Sequence, residues 1–159
     1  MVRPRARPDP LSAEEEAFLR AFLRALVTVP RVLDGDLMGT QGVSLTDYVG
    51  LMHLSEAPGA AMRVGDLATT CALSLSGTTR VVSRLEDQGL LRREQCASDG
   101  RGWEAVLTDS GLARLRRAWP THLTSVRRHV IDHLEYLDLP PITAAVSRFA
   151  DGRPGEDAP

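Results

Sequence analysis

The sequence predicts a mainly α-helical chain with a small β-hairpin wing (α+β), in which a winged helix-turn-helix is flanked at both ends by further helices. Three observations carry this reading. Two short amphipathic segments meet at a tight turn near Leu73-Ser74. An Asp99-Gly100 pair, a strong hairpin signal, separates two strand-like stretches that come directly after them. Apolar residues recur at helical spacing before and after this unit.

Taken in order, residues 1–11 alternate Arg and Pro and are expected to form a disordered basic arm. Residues 12–150 are expected to make one domain, and 151–159 a disordered tail. Ser12-Ala-Glu-Glu15 has the form of a capping box. Phe18, Leu19, Phe22, Leu23, Leu26 and Val27 come next as a wide apolar stripe. Pro30 is expected to kink or break that helix, with the glycines at 35, 39 and 42 loosening the segment beyond it. The next helix should span about Ser44 to Ser55, burying Leu45, Tyr48, Leu51, Met52 and Leu54. A short strand at Met62-Arg-Val64 precedes the helix-turn-helix, whose helices run from about Gly65 to Ala72 and Leu75 to Gln88, with Gly89 as the stop. The wing pairs Leu90–Cys96 with Trp103–Leu107. Thr108 then caps a long helix to about Leu134, bent near Pro120, and a last helix covers Pro141 to Phe149. On this reading residues 44–108 form the winged unit, and 12–38 and 109–150 supply dimerisation helices.

Composition narrows the function. The net charge of −2 excludes a chain that coats nucleic acid through bulk charge, although local charge still permits specific binding. All 19 basic residues are Arg, so any phosphate or base contact must use the planar guanidinium fork. No apolar run approaches the length of a membrane span and no apolar stretch succeeds the basic start, so a cytoplasmic, nucleoid-associated protein without membrane contact is expected. Two cysteines are too few for a disulfide framework. No Ser/His/Asp set or phosphate loop is evident, so neither an enzyme nor a cofactor is expected.

Two stretches sharpen the assignment. The first runs from Leu67-Ala68 through Ser76-Gly-Thr-Thr-Arg80 to Arg84-Leu-Glu86 and Gly89-Leu90. The second joins Asp99-Gly-Arg101 to Leu107-Thr108-Asp-Ser-Gly111. Both resemble the recognition unit and wing of the MarR family of winged helix-turn-helix transcription regulators, over roughly residues 40–135. The resemblance implies a homodimer that binds double-stranded DNA at a pseudo-palindromic operator, acts as a repressor, and is released by a small, often aromatic, effector.

With Leu75, Val81, Val82 and Leu85 facing the core, Ser76, Thr78, Thr79, Arg80, Ser83 and Arg84 are expected to face outward. Small hydroxyls near base edges, with Arg reaching guanine or phosphate, suit a helix in the major groove. Ser76, Thr78, Thr79 and Arg80 are the candidates for base or phosphate contact and Arg84 for phosphate, although Arg84 could instead pair with Asp87 at i, i+3. The resemblance assigns Arg101 to the minor groove, held by Asp99. Trp103 and Glu104 depart from the family's smaller, more basic wing. With Glu94 and Asp99 diluting its charge, Arg92 and Arg93 become candidates for phosphate contact. A winged helix used for protein–protein assembly is the alternative, because charges between 74 and 104 nearly balance.

The apolar stripes of the first and last helices, with Phe18, Phe22, Leu137, Ile142, Val146 and Phe149, point to an isologous dimer. For an effector pocket the candidates are Phe22, Leu26, Tyr48, Met52, His53 and Trp119, each of which also reads as ordinary core. His129 and His133 have zinc-compatible i, i+4 spacing, but helical histidines of this kind usually hold no metal, and none is assigned. Cys71 reads as a small buried residue. Cys71 and Cys96 are both candidate redox sensors in a family where some members use cysteine, and Cys96 has Arg92 and Arg93 near it in sequence.

Overall fold

The computed structural model describes residues 9–95 and 102–150. The capping box forms as expected: the Ser12 hydroxyl accepts from the Glu15 N–H, and the Glu15 carboxylate accepts from the Ser12 N–H. The helix it opens, α1 (Ala13–Gln41), is 29 residues long and passes through Pro30 without a break. Of the expected kink or break, the break does not occur. The bond lost at Pro30 and the ring's crowding of the preceding turn cost on the order of 3 kcal/mol in a helix interior. The turns beyond it are anchored by Leu33 and Leu37, both buried, and by polar bonds from Asp36 and Gln41 to a later helix. Gly42, in the left-handed conformation at φ 62°, ends α1 and donates to the Met38 carbonyl.

Helix α2 (Leu45–Glu56) starts at Ser44, whose hydroxyl accepts from the Asp47 N–H. It is the centre of the fold and packs against α1, the helix-turn-helix, the sheet and the long helix. Tyr48, Leu51 and Leu54 are fully enclosed, whereas Leu45 and Met52 are half-buried at the margin. A short 3-10 turn, Pro58–Ala60, leads to β1 (Ala61–Arg63).

Helices α3 (Val64–Thr70) and α4 (Leu75–Asp87) form the helix-turn-helix. Both end with the same paired backbone bonds. Ala72 N–H donates to the Thr69 carbonyl and Leu73 N–H to Ala68; Gly89 N–H donates to Glu86 and Leu90 N–H to Leu85. Gly89 holds φ 70° without cost, whereas Ala72 holds φ 52° against its own Cβ.

Strands β2 (Leu91–Gln95) and β3 (Trp103–Leu107) pair antiparallel with Arg93 opposite Ala105 and Gln95 opposite Trp103. β1 adds to the other edge of β3, giving the order β1-β3-β2. The inward residues Leu91, Ala105 and Leu107 join the α2–α4 core.

Helix α5 (Asp109–His129) is capped by Thr108, whose hydroxyl accepts from the Gly111 N–H. It ends at His129, short of the expected Leu134, and a 3-10 turn (Ile131–Leu134) replaces its last stretch. Val130 leaves helical geometry at φ −133°, and three β-branched residues lie between 126 and 131. Pro120 sits inside the helix. Leu115 and Ala118 hold α5 against the core, but Trp119 and Leu123 of the expected stripe are exposed. Helix α6 (Leu139–Ala150) closes the described chain, and Phe149 meets the ring of Phe22 edge-on at 5.7 Å. Among the described residues no helix is long and apolar enough to cross a membrane.

Gly111 is fixed by contact. A Cβ placed there would stand 2.0 Å from the Leu90 carbonyl oxygen and 2.6 Å from the Leu107 side chain. Such overpacking typically costs about 1–3 kcal/mol, so Gly111→Ala is expected to lower the unfolding free energy by that amount, or more because the obstacle is backbone. Urea denaturation followed by circular dichroism checks this, and an unchanged midpoint would refute the packing argument.

Candidate nucleic-acid interface

Helix α4 is built to bury one face and expose a narrow one. Ser74 caps it by accepting from the Gly77 N–H. Its inner stripe is Thr78, Val81, Val82 and Leu85, at i, i+3, i+4 and i+7. Thr78 therefore does not face outward, against the sequence expectation. It is buried, and its hydroxyl donates to the Ser74 carbonyl at 3.1 Å, which satisfies the polar group. Leu75, expected in the core, is exposed at the first turn. Thr78 takes the place in the stripe expected of Leu75.

The outer face carries Ser76, Thr79 and Arg80, all exposed. The Thr79 hydroxyl donates back to the Leu75 carbonyl and keeps its capacity to accept. Ser76 lies 3.2 Å from the Ser74 hydroxyl. Arg80 makes no hydrogen bond or ion pair among the described residues, so its guanidinium is available to an anion.

The two flanks of α4 are tied down. On one side the Arg93 guanidinium donates to the Ser83 hydroxyl at 2.6 Å and pairs with Glu86 at 3.5 Å, while the Arg93 N–H donates to the same carboxylate at 3.0 Å. Ser83 and Arg93, both expected to reach DNA, instead bond each other and fasten the wing to α4. On the other side Arg84 pairs with Asp47 of α2, not with Asp87. Its Nε lies 3.1 and 3.2 Å from the two carboxylate oxygens and its Nη2 2.5 Å from one. Hydrogen bonding to Asp47 pushes the Arg84 guanidinium further into its charged form. Arg92 is exposed on the outer strand and pairs along it with Glu94 at 2.6 Å. Asp99, Arg101 and Cys96 lie outside the described residues. The groove of about 860 Å³ between α4 and the wing is walled by Thr79, Glu86, Arg93 and the exposed Trp103.

The same architecture recurs in known proteins. The model of the MarR family matches residues 41–102. AbsC, a MarR family transcriptional regulator from Streptomyces coelicolor, is 37% identical, with 91% of this chain and 97% of that one covered at a TM-score of 0.83. Sco3205, another MarR family regulator from Streptomyces coelicolor, solved in complex with DNA, is 34% identical, with 95% of each chain covered at a TM-score of 0.85. The chain belongs to the MarR family of transcriptional regulators. The HTH-type transcriptional repressor Rv2887 of Mycobacterium tuberculosis is 34% identical over 77 residues, and that match spans about half of each protein, 48% of this chain and 54% of the relative.

The effector candidates of this MarR chain do not gather in one place. Phe22 stacks on Phe18 at 5.8 Å and touches Phe149, while Leu26 is exposed on the same half of α1. Tyr48 is buried against the His122 ring at 4.3 Å, and Trp119 lies 6.3 Å from that ring. The Tyr48 hydroxyl and His122 Nδ1 are buried without a hydrogen-bond partner among the described residues. Burial pushes the Tyr48 hydroxyl up to about 12 and lowers His122. Met52 is half-buried against the core, and His53 lines a separate shallow groove and approaches Glu56 at 4.0 Å. Cys71 packs against the core half-buried, and burial raises its thiol above the ordinary range, opposite to an activated thiolate.

Sequence reasoning missed three tertiary pairings: Arg84 with Asp47, Arg93 with Glu86 and Ser83, and a cluster joining α1 to α5. In that cluster Asp36 accepts from the buried Ser125 hydroxyl at 2.5 Å and contacts His129 Nε2 at 3.1 Å. No local spacing marks pairs 37 or 89 positions apart. Among the described residues no group of three His, Cys, Asp or Glu could hold a metal, and His129 is engaged by Asp36.

The Ser125 hydroxyl, with smaller help from His129 and Arg128, holds the Asp36 carboxyl below its ordinary value. A carboxyl depressed in the folded state contributes stability above its unfolded value, near 3.8, and that contribution is lost as the pH falls through the lower folded value. Melting temperature is therefore expected to fall more steeply below about pH 4 in the parent than in Asp36→Asn. Parallel acid slopes in the two proteins would remove Asp36 from the acid response.

Proposed function

We propose that this chain is a transcriptional repressor that binds a pseudo-palindromic DNA site as a homodimer. The observation that carries this reading is the outer face of α4, where Ser76, Thr79 and Arg80, the last without a partner among the described residues, stand exposed. Hydroxyls of this size let a helix approach base edges closely, and a free guanidinium can reach guanine or phosphate. The DNA complex of Sco3205 and the repressor designation of the mycobacterial relative support the same reading. Arg101 is assigned to the minor groove with Asp99 to hold it, and Arg92 to the backbone. Ser83 and Arg93 act by holding the wing, and Thr78 by supporting α4 from within. The site of action is the cytoplasm, at the nucleoid.

The dimer is supported by surface chemistry. Phe18, Leu23, Leu26 and Val27 on α1, with Val146 and Phe149 on α6, are all more than two-fifths exposed in the single chain. A contiguous apolar surface of this kind marks an interface. The proposed domain plan is that residues 44–108 meet DNA, while 12–38 and 109–150 carry the twofold contact. For control of binding we propose a small aromatic effector beside Tyr48 and Trp119. This is supported by the two unpartnered polar atoms on Tyr48 and His122.

Mobility shift against a duplex spanning the gene's own upstream region tests the reading. Binding should weaken steeply between two salt concentrations, and Arg80→Ala or Arg101→Ala should weaken it by about ten- to a hundredfold, equivalent to roughly 1–3 kcal/mol per contact. Binding untouched by both substitutions would overturn the interface. Repeating the assay with hydroxybenzoates tests the effector. Sedimentation equilibrium should return twice the 17.3 kDa chain mass, and a monomer in dilute solution would refute the dimer.

A further inference from the structure

Asp47 is the one buried charged side chain among the described residues, and it sits on α2, away from the outer face of α4. It nonetheless reaches α4 through three hydrogen bonds to Arg84, which remains half exposed. Those bonds occupy Nε and Nη2 in a fork, the geometry in which a carboxylate fixes the plane of a guanidinium. Nη1 makes no contact with Asp47 and is the edge left over. Arg84 lies four residues, about one helical turn, beyond the unpaired Arg80 on α4. The Ser44 hydroxyl, by accepting from the Asp47 N–H, ties the backbone at Asp47 to the start of α2.

We propose that Asp47 is a positioning residue for DNA binding: it holds the Arg84 guanidinium so that its free Nη1 edge meets a phosphate flanking the bases read by α4. This rests on the DNA-binding reading above. A free Arg side chain would have to be ordered at the moment of binding, and the fork orders it beforehand. Burial keeps the Asp47 carboxylate out of the DNA's way, so that its negative charge serves the arginine and does not face the backbone.

The expected effect is opposite in sign to simple electrostatics. Removing a negative charge near DNA should tighten binding if the carboxylate has no positioning role. Asp47→Asn, close in shape, is instead expected to weaken binding about tenfold and to lower the salt dependence, because the phosphate contact made through Arg84 is lost with it. Arg84→Gln is expected to weaken binding by a similar factor and to reduce the slope of log K against log salt by about 0.9, the share of one phosphate contact. In the double variant the second substitution should add little, because Asp47 acts only through Arg84.

Affinities are to be measured by fluorescence anisotropy on the upstream duplex, well below each variant's melting temperature, so that loss of folding does not enter. Binding by Asp47→Asn as tight as the parent or tighter, or fully additive losses in the double variant, would overturn the positioning role while leaving DNA binding intact. Failure of the parent chain to bind DNA would overturn the underlying function and this role with it.

Discussion

The placement of every element around the wing depends on one close approach, that of Gly111 to the Leu90 carbonyl. No side chain fits between them. Thr108 tightens the same point three ways: its N–H donates to the Leu90 carbonyl, its hydroxyl donates to the Gly89 carbonyl, and the same oxygen accepts from the Gly111 N–H. The end of α4, the start of β2, the end of β3 and the start of α5 thus meet within a few residues. A backbone junction of this kind fixes the angle between the wing and the long helix more firmly than side-chain packing could, because neither carbonyl nor amide has a rotamer to change.

The exposed face of α4 is a product of that junction. Its inner stripe is set by the α2 core, and its two flanks are closed by Arg84 with Asp47 and by Arg93 with Glu86 and Ser83. Much of the charge near the wing is therefore taken up in internal pairs. A chain with a net charge of −2 can still present a usable cation, because Arg80 makes no ion pair among the described residues while Arg84 and Arg93 are taken up by Asp47 and Glu86. Local arrangement, not total charge, determines what this surface can attract.

The features legible in the sequence are written locally. The Ser12–Glu15 capping box, the Thr108 cap, the Gly89 stop and the strand at Trp103–Leu107 each rest on neighbours a few positions apart, and each is found where expected. Where long-range contacts outweigh local preference, the sequence misleads. Pro30 does not end α1, because buried leucines and bonds to α5 hold the turns beyond it. Thr78 looks like a surface hydroxyl by type, yet a bond to the Ser74 carbonyl lets it occupy a core position. Arg84 reads as a partner of phosphate or Asp87, and its true partner 37 residues away leaves no trace in spacing. The effector candidates share an aromatic or apolar character that says nothing of distance, and they divide between the Phe22–Phe149 contact and the Tyr48–His122 contact in the core.

The unbroken course of α1 has a mechanical consequence. Its second half is locked to the core by Leu33 and Leu37, while the first half, Ala13 to Val29, projects as a rod about 25 Å long with a broad apolar face. A rod gripped at one end is a lever. A tilt of about 5° at the gripped turns would swing the far end by roughly 2 Å, given a rise of about 1.5 Å per residue. In a twofold assembly joined through the rods, the same tilt, taken in reverse, would alter the distance between the two α4 helices. The grip on α1, where the Asp36–Ser125–His129 cluster lies, would then bear on that distance from outside the reading head.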